Sequence, residues 1–272
     1  MSGITLYEDP GSIFSGTAPD YVRFRRTHPV EVAEYVADLA QRHTAAPRMV
    51  DLGCGPGTLT LELAARGVDM VALDPSHEMI AAGRQWAAQR AVTGVDWRVA
   101  PGESVGGQPG VQGVSGAVIA DALHFMNRPH VLEQLDAVVA ERGFVALVCS
   151  YAAGSERPWW HEVVNRVRAR YVGVEPAAGP GGGYVKPDGH HDVVLRQSAF
   201  SRLSTLHFEH TAAYTTEELV AAQRTYAFSS APVLGSRQEA FEKELAGALE
   251  AVNGSGSHTA LLQGVVIVGR RP

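Results

Sequence analysis

The stretch Met49-Val50-Asp51-Leu52-Gly53-Cys54-Gly55-Pro56-Gly57, followed by Val71-Ala72-Leu73-Asp74, constrains this chain more than any other. An apolar run ends in an acid and three closely spaced glycines. A helical pattern over Thr58 to Arg66 comes next, then a second apolar run closed by Asp74. This is a strand–loop–helix–strand unit with an acid roughly 20 positions past the loop, the layout of a nucleoside-binding α/β half. Glycines let the backbone turn sharply and approach a ligand that a side chain would block. The helix start behind them offers unpaired N–H groups to an anion. An Asp at the end of the second strand can accept both hydroxyls of a ribose.

The glycine spacing narrows the nucleoside. In the dinucleotide fingerprint Gly-x-Gly-x-x-Gly, Gly53 and Gly55 would be followed by a third glycine where Thr58 stands, and Gly57 comes one residue early. Asp51, just ahead of the loop, would repel a pyrophosphate but suits an ammonium or sulfonium. S-adenosylmethionine (SAM) carries adenosine, a sulfonium, an ammonium and one carboxylate. On these residues the chain resembles the class I SAM-dependent methyltransferases of the small-molecule type, a group that includes the ubiquinone/menaquinone and trans-aconitate methyltransferases.

Other segments match that family in order. Asp74-Pro75-Ser76-His77-Glu78-Met79-Ile80 is similar to its D-x-S-x-x-M-L segment, where the Asp holds the ribose and the Met lies against the adenine. Gly102-Glu103-Ser104, after Pro101, falls at the family's short acidic turn on the adenine edge. Asp121-Ala122, at the exit of a fourth strand, would stand near the methionine part of the cofactor. Arg142-Gly143-Phe144 resembles the turn into strand five. Tyr21-Val22-Arg23-Phe24-Arg25 resembles the Y-x-x-x-R segment that closes over the cofactor, which makes Tyr21 and Arg25 binding candidates. The resemblance covers roughly residues 20 to 150, and beyond that only the architecture is shared.

It implies a Rossmann-like seven-stranded sheet, mostly parallel, with an antiparallel edge pair and helices on both faces. One domain would fill residues 1–272: an N-terminal arm and cap helix over 1–45, a SAM-binding core over 46–150, and substrate-covering helices with the last two strands over 151–272. The reaction implied is methyl transfer from SAM, leaving S-adenosylhomocysteine (SAH), to a small-molecule acceptor. Oxygen of a biosynthetic, secondary-metabolite intermediate is the favoured acceptor atom. C- or N-methylation, or a non-methylating conversion such as cyclisation, are the alternatives.

Methyl transfer needs a general base only where the acceptor carries a proton at neutral pH. Among the 11 histidines, His124 has the best position, just past strand four at the carboxyl edge where open α/β sheets bind ligands. It is the candidate base, with a structural role as the alternative. His190 and His191 read as solvated loop residues or as groups that a closing segment carries inward. Tyr151, Trp159, Trp160 and Tyr184 could wall a pocket or belong to the core. The exit sequence Asp121-Ala122-Leu123-His124 lacks the Asn/Asp-Pro-Pro-Tyr of nucleobase amine methylation, and no Pro-Cys pair suits cytosine C5 chemistry.

Composition sets the outer bounds. A chain of 272 residues, 45% hydrophobic and 19% charged, is ordinary for one globular α/β domain. With a net charge of −6 and only Arg23, Arg25 and Arg26 as a basic cluster, nucleic acid is not the expected partner. No apolar run reaches the ~20 residues of a membrane span. No signal peptide is visible, and Cys54 and Cys149 give neither a disulfide framework nor a zinc spacing, so a reducing cytoplasm is expected. No metal site is expected.

Along the chain, residues 1–20 read as a mobile arm, with a helix over Pro29 to Arg42 capped weakly by Thr27 or His28. Strands are expected over 48–52, 68–73, 96–99, 117–120 and 144–149, with helices over 58–65, 78–90 and 129–139. A glycine-rich connector fills 106–116. Further on come a helix over 158–171, an irregular 176–189 whose Gly179–Gly189 part could act as a lid, a strand over 202–210, helices from Thr216 and over 238–252, and a strand over 263–268.

Overall fold

The structure, a computed structural model, describes residues 9–25, 28–42, 44–150, 156–174 and 189–272. Its elements in chain order are α1 (Ala18–Phe24), α2 (Val30–Gln41), β1 (Arg48–Leu52), α3 (Thr58–Ala64), β2 (Asp69–Asp74), α4 (His77–Gln89), β3 (Val95–Val99), β4 (Val114–Ala120), α5 (Arg128–Val138) and β5 (Val139–Cys149). They continue with α6 (Trp160–Val172), α7 (His191–Arg196), β6 (Arg202–Thr215), α8 (Thr216–Ala222), α9 (Ala231–Leu234), α10 (Gln238–Val252) and β7 (Ser257–Arg270).

The strands form one seven-stranded sheet in the order β3-β2-β1-β4-β5-β7-β6. The first five pair in parallel, while β7 pairs antiparallel with both β5 and β6. The expected mostly parallel sheet with an antiparallel edge pair is thus present. Strand order reverses between β1 and β4, and at that switch point the loops leaving their carboxyl ends part to open a crevice.

Side chains alternate across the sheet, which splits its core into two layers. Val50, Leu52, Ile119, Val145 and Leu147 pack with α5 and with Leu195 of α7. Met49, Val118, Phe144, Ala146 and Val148 pack on the opposite face against Val32, Val36 and Leu39 of α2. A smaller apolar cluster joins Trp160, Val163 and Val167 of α6 to Leu219 of α8 and Phe241, Leu245 and Leu249 of α10.

Several expectations change. Residues 9–24 are no free arm: Ile13 is buried, Gly16 donates its N–H to the Glu78 carboxylate at 2.6 Å, and α1 begins at Ala18. Residues 1–8 lie outside the described residues. The connector over 106–116 is shorter than expected, because Gly102–Gly107 forms a 3-10 turn and Val114 already pairs with Val139. β6 and β7 run to 14 residues each and pair along their whole length. The short α7 has no strong sequence signal, since six residues are held by Leu195 and by contact with β6 and not by a cap. Pro29, not His28, stands at the N-cap of α2. Thr215 caps α8 in a full capping box with Glu218.

Gly57 shows how local geometry fixes the first turn. Its φ is +83°, and an added Cβ would lie 2.3 Å from Cη2 of Trp97, a buried ring on β3. Gly57→Ala therefore combines left-handed strain with overpacking and should cost about 2–4 kcal/mol. A urea midpoint unchanged from that of the parent chain would show that the turn does not depend on it.

Candidate active site

The crevice has two connected compartments. The larger, about 690 Å3, is mostly apolar and lies between Ile13, Phe14, Met79, Pro101, Phe125 and Met126, with Asp74 and Glu103 on its wall. The smaller, about 420 Å3, is polar and holds Arg25, His28, Asp51, Asp121 and Ser150. Tyr21, Gly53, Ala120 and Asp121 line both and mark their junction.

The loop after β1 is built on the end of β2. Gly53 and Cys54 both donate N–H to the Leu73 carbonyl, at 2.8 and 3.0 Å, and Gly55 donates to Asp74 Oδ2 at 2.9 Å. Asp74 Oδ1 accepts the Ser76 N–H at 2.8 Å, so each oxygen keeps a further acceptor position. At Gly55 φ is +56° and a Cβ would meet nothing within 4 Å, which leaves an open cradle beside Asp74. Burial raises the Asp74 carboxyl to about 6, against the pull of its two backbone donors.

Asp51 is the most constrained group. It is 1% exposed; Oδ2 accepts the Thr60 hydroxyl at 2.5 Å, and Oδ1 is buried with no hydrogen-bond partner among the described residues. Burial pushes its pKa to about 7; the Thr60 hydrogen bond opposes this shift and the nearby Asp74 adds to it. An orphaned carboxylate oxygen inside a cleft matches a cationic ligand group. Arg25 provides the opposite charge in the same compartment, with its guanidinium 5.3 Å from the Tyr21 ring centre and 4.2 Å from that of Tyr226. A zwitterionic tail therefore fits the small compartment and an apolar base with a vicinal diol fits the large one.

Asp121, in a left-handed conformation with φ +47°, accepts the Ser150 N–H at 2.9 Å and also its hydroxyl. Its other neighbour is His28, with Nε2 at 3.8 Å. His28 was invisible as a site residue in sequence, because a histidine before a proline reads as a helix boundary. Burial lowers its pKa and Asp121 partly restores it. Phe14, edge-on to Phe125 at 5.5 Å, also escaped notice, since its partner is far away in the chain.

Of the residues expected in the site, Tyr21, Arg25, Asp51, Gly53, Gly55, Asp74, Pro75, Met79, Gly102, Glu103, Asp121 and Ala122 line the crevice. Glu103 also accepts the Asn127 N–H at 2.9 Å. Three stand elsewhere. Gly57 packs on Trp97, and Ser104 turns its hydroxyl to the Pro101 carbonyl at 2.8 Å. His124 lines neither compartment; its ring lies 6.3 Å from that of His191, and burial lowers its pKa to about 4. His191 begins α7 and is half-buried, while His190 is exposed. Trp159 and Trp160 pack with the small apolar cluster and with the fully buried His258. Tyr151, Tyr184 and residues 179–188 lie outside the described residues.

The family model described as a methyltransferase domain matches residues 49–143. Over that stretch the chain is similar to a methyltransferase domain. An uncharacterized methyltransferase of Mycobacterium tuberculosis is 27% identical over 158 residues, 58% of this chain and 59% of that protein. The chain thus spans about three fifths of that relative. A trans-aconitate 2-methyltransferase of Delftia acidovorans is 41% identical over 91 residues, covering 31% of this chain and 32% of its own. A solved structure of a putative methyltransferase from an antibiotic biosynthesis pathway of Anabaena variabilis aligns with a TM-score of 0.57 at 15% identity, over 89% of this chain and 98% of that one. It shares the methyltransferase fold. No helix of the described residues is long and apolar enough to cross a membrane.

The Asp51 carboxyl gives this protein a testable pH dependence. Its folded pKa lies above the unfolded value of 3.8, so its ionisation costs stability progressively as pH rises from about 4 through 7. At about pH 8, Asp51→Asn should raise the urea midpoint while weakening SAH binding by about a hundredfold. In the parent chain, SAH affinity should climb as pH rises through about 7, where Asp51 ionises. Calorimetry showing flat affinity over that interval would remove the charge pairing.

Proposed function

We propose that the protein binds SAM in this crevice and transfers its methyl group to an oxygen of a small organic acceptor, a biosynthetic intermediate. The observation that carries the reading is the pairing of two unlike compartments around Gly53: an apolar one with Asp74 on its wall, and a polar one with the unpartnered Asp51 oxygen and Arg25. When bound, SAM supplies a methyl group already activated on a sulfonium. The protein's work is then placement and exclusion of water, which can supply a large part of such a rate.

Asp74 would accept the ribose hydroxyls, with Met79 and Phe14 against the adenine and Glu103 on its edge. Asp51 would hold the ammonium, and Arg25 the carboxylate. By the covalent order of SAM, the sulfur falls at the junction between the compartments, beside Tyr21, Gly53 and Asp121. The carboxylates of Asp51 and Asp121 favour a cation there. Residues 10–24 cover the large compartment and shield it from water.

The acceptor atom is argued from relatives and from the available bases. A trans-aconitate 2-methyltransferase and, over 61 residues at 34% identity, a ubiquinone biosynthesis O-methyltransferase of Acinetobacter baumannii both resemble part of this chain. Carboxylate oxygens need no base, and His124, held near pKa 4 and away from both compartments, is a weak one.

Incubation with methyl-labelled SAM and a metabolite extract should move label into a small product that releases it as expected of an ester or ether. SAM consumed without a labelled product would overturn methyl transfer. Under saturating SAM, His124→Ala should keep turnover within about threefold, whereas a loss beyond about a hundredfold would restore it as the base.

A further inference from the structure

The cofactor-facing arginine is held by a segment far outside the family-matched region. Arg25 sits with its guanidinium 4.2 Å from the centre of the Tyr226 ring, and its Nη1 donates to the Thr225 hydroxyl at 3.4 Å. Tyr226 in turn stacks on Phe228, with ring centres 5.4 Å apart and planes inclined by 13°. Arg168 of α6 lies over Phe228, its guanidinium 4.2 Å from that ring's centre. Cation, ring, ring, cation: each member faces a partner that its charge distribution favours.

The support behind the stack is buried and hydrogen-bonded. Thr225 is fully buried and donates its hydroxyl to the Ala222 carbonyl at 2.7 Å. The buried Ser229 hydroxyl donates to the Gln223 carbonyl at 2.8 Å, and the Gln223 amide to Leu219 at 3.1 Å. A second tether holds α1 to the same region: Arg224 clasps Glu242 of α10 through two 2.7 Å hydrogen bonds and lies 3.8 Å from Asp20. The helix that carries Tyr21 and ends at Arg25 is therefore clamped between α4 and the turn that follows α8.

The geometry points to Tyr226 as a positioning residue: by stacking on Arg25, with Phe228 and Arg168 behind it, Tyr226 fixes the guanidinium that receives the carboxylate of the cofactor's amino-acid tail. This rests on the cofactor reading above. It assigns to the C-terminal half a share in cofactor affinity, confined to one end of the ligand. The rings need their faces and not the phenol oxygen, so phenylalanine should serve in place of Tyr226.

The test compares two ligands by calorimetry. SAH carries the amino-acid tail; 5′-methylthioadenosine keeps the adenosine and sulfur but lacks it. Tyr226→Leu should weaken SAH by about tenfold and leave 5′-methylthioadenosine within about twofold. Tyr226→Phe should leave both within about twofold. In an Arg25→Ala background, Tyr226→Leu should have no further effect on SAH. Equal weakening of the two ligands, no weakening of either, or additive losses in the double variant would each overturn the assignment. Failure of the unchanged protein to bind SAH at all would instead overturn the cofactor reading, and the assignment with it.

Discussion

Two carboxyl groups buried on neighbouring strands dominate the structure. Asp51 on β1 pairs in register with Ala72, and Asp74 ends the adjacent β2. Burying both without a cation is costly, and the cost appears as a raised pKa for each, about 7 for Asp51 and about 6 for Asp74. The glycine loop is shaped around that constraint. Its N–H groups are spent on the Leu73 carbonyl and on Asp74, while the inner oxygen of Asp51 remains without a partner. Polar groups buried in this way are poor for stability and good for binding, because a positively charged ligand relieves what the fold alone leaves unmet.

The crevice is then completed from three distant parts of the chain. The loops after β1 and β4 supply its floor, residues 10–24 its cover, and the turn after α8 the support for that cover. Phe14 against Phe125 and Arg25 against Tyr226 are the contacts that bring the cover down. Since Ile13 packs with Ala227, the N-terminal segment and the C-terminal half meet beside the large compartment.

How much of this could be read from sequence follows from how local each signal is. β1, its loop, α3 and β2 were legible because strand, turn and helix each have their own residue pattern within some 25 positions. The bounds of α10 were legible too, through a long apolar stripe. His28 and Phe14 were not, because their roles arise from contacts made by the folded chain. The extra length of β6 and β7 was hidden for a similar reason: Ala212 and Ala213 have no strong strand preference, and they are extended because Ala260 and Thr259 lie opposite. His124 had the right address in sequence, yet its burial turned it into a feeble proton acceptor.

The order in which the edge is assembled has a consequence for synthesis. β7 is made after β6 but lies inside it, between β6 and β5. While a ribosome is still extending the chain through α10, the apolar margin Val145 to Val148 has no neighbour and β6 has no seat in the sheet. Both wait until residues 257–270 emerge and thread between them. Closing so distant a pairing is slow, so the nascent polypeptide passes through an interval with an open, sticky strand, when a chaperone would find most to hold.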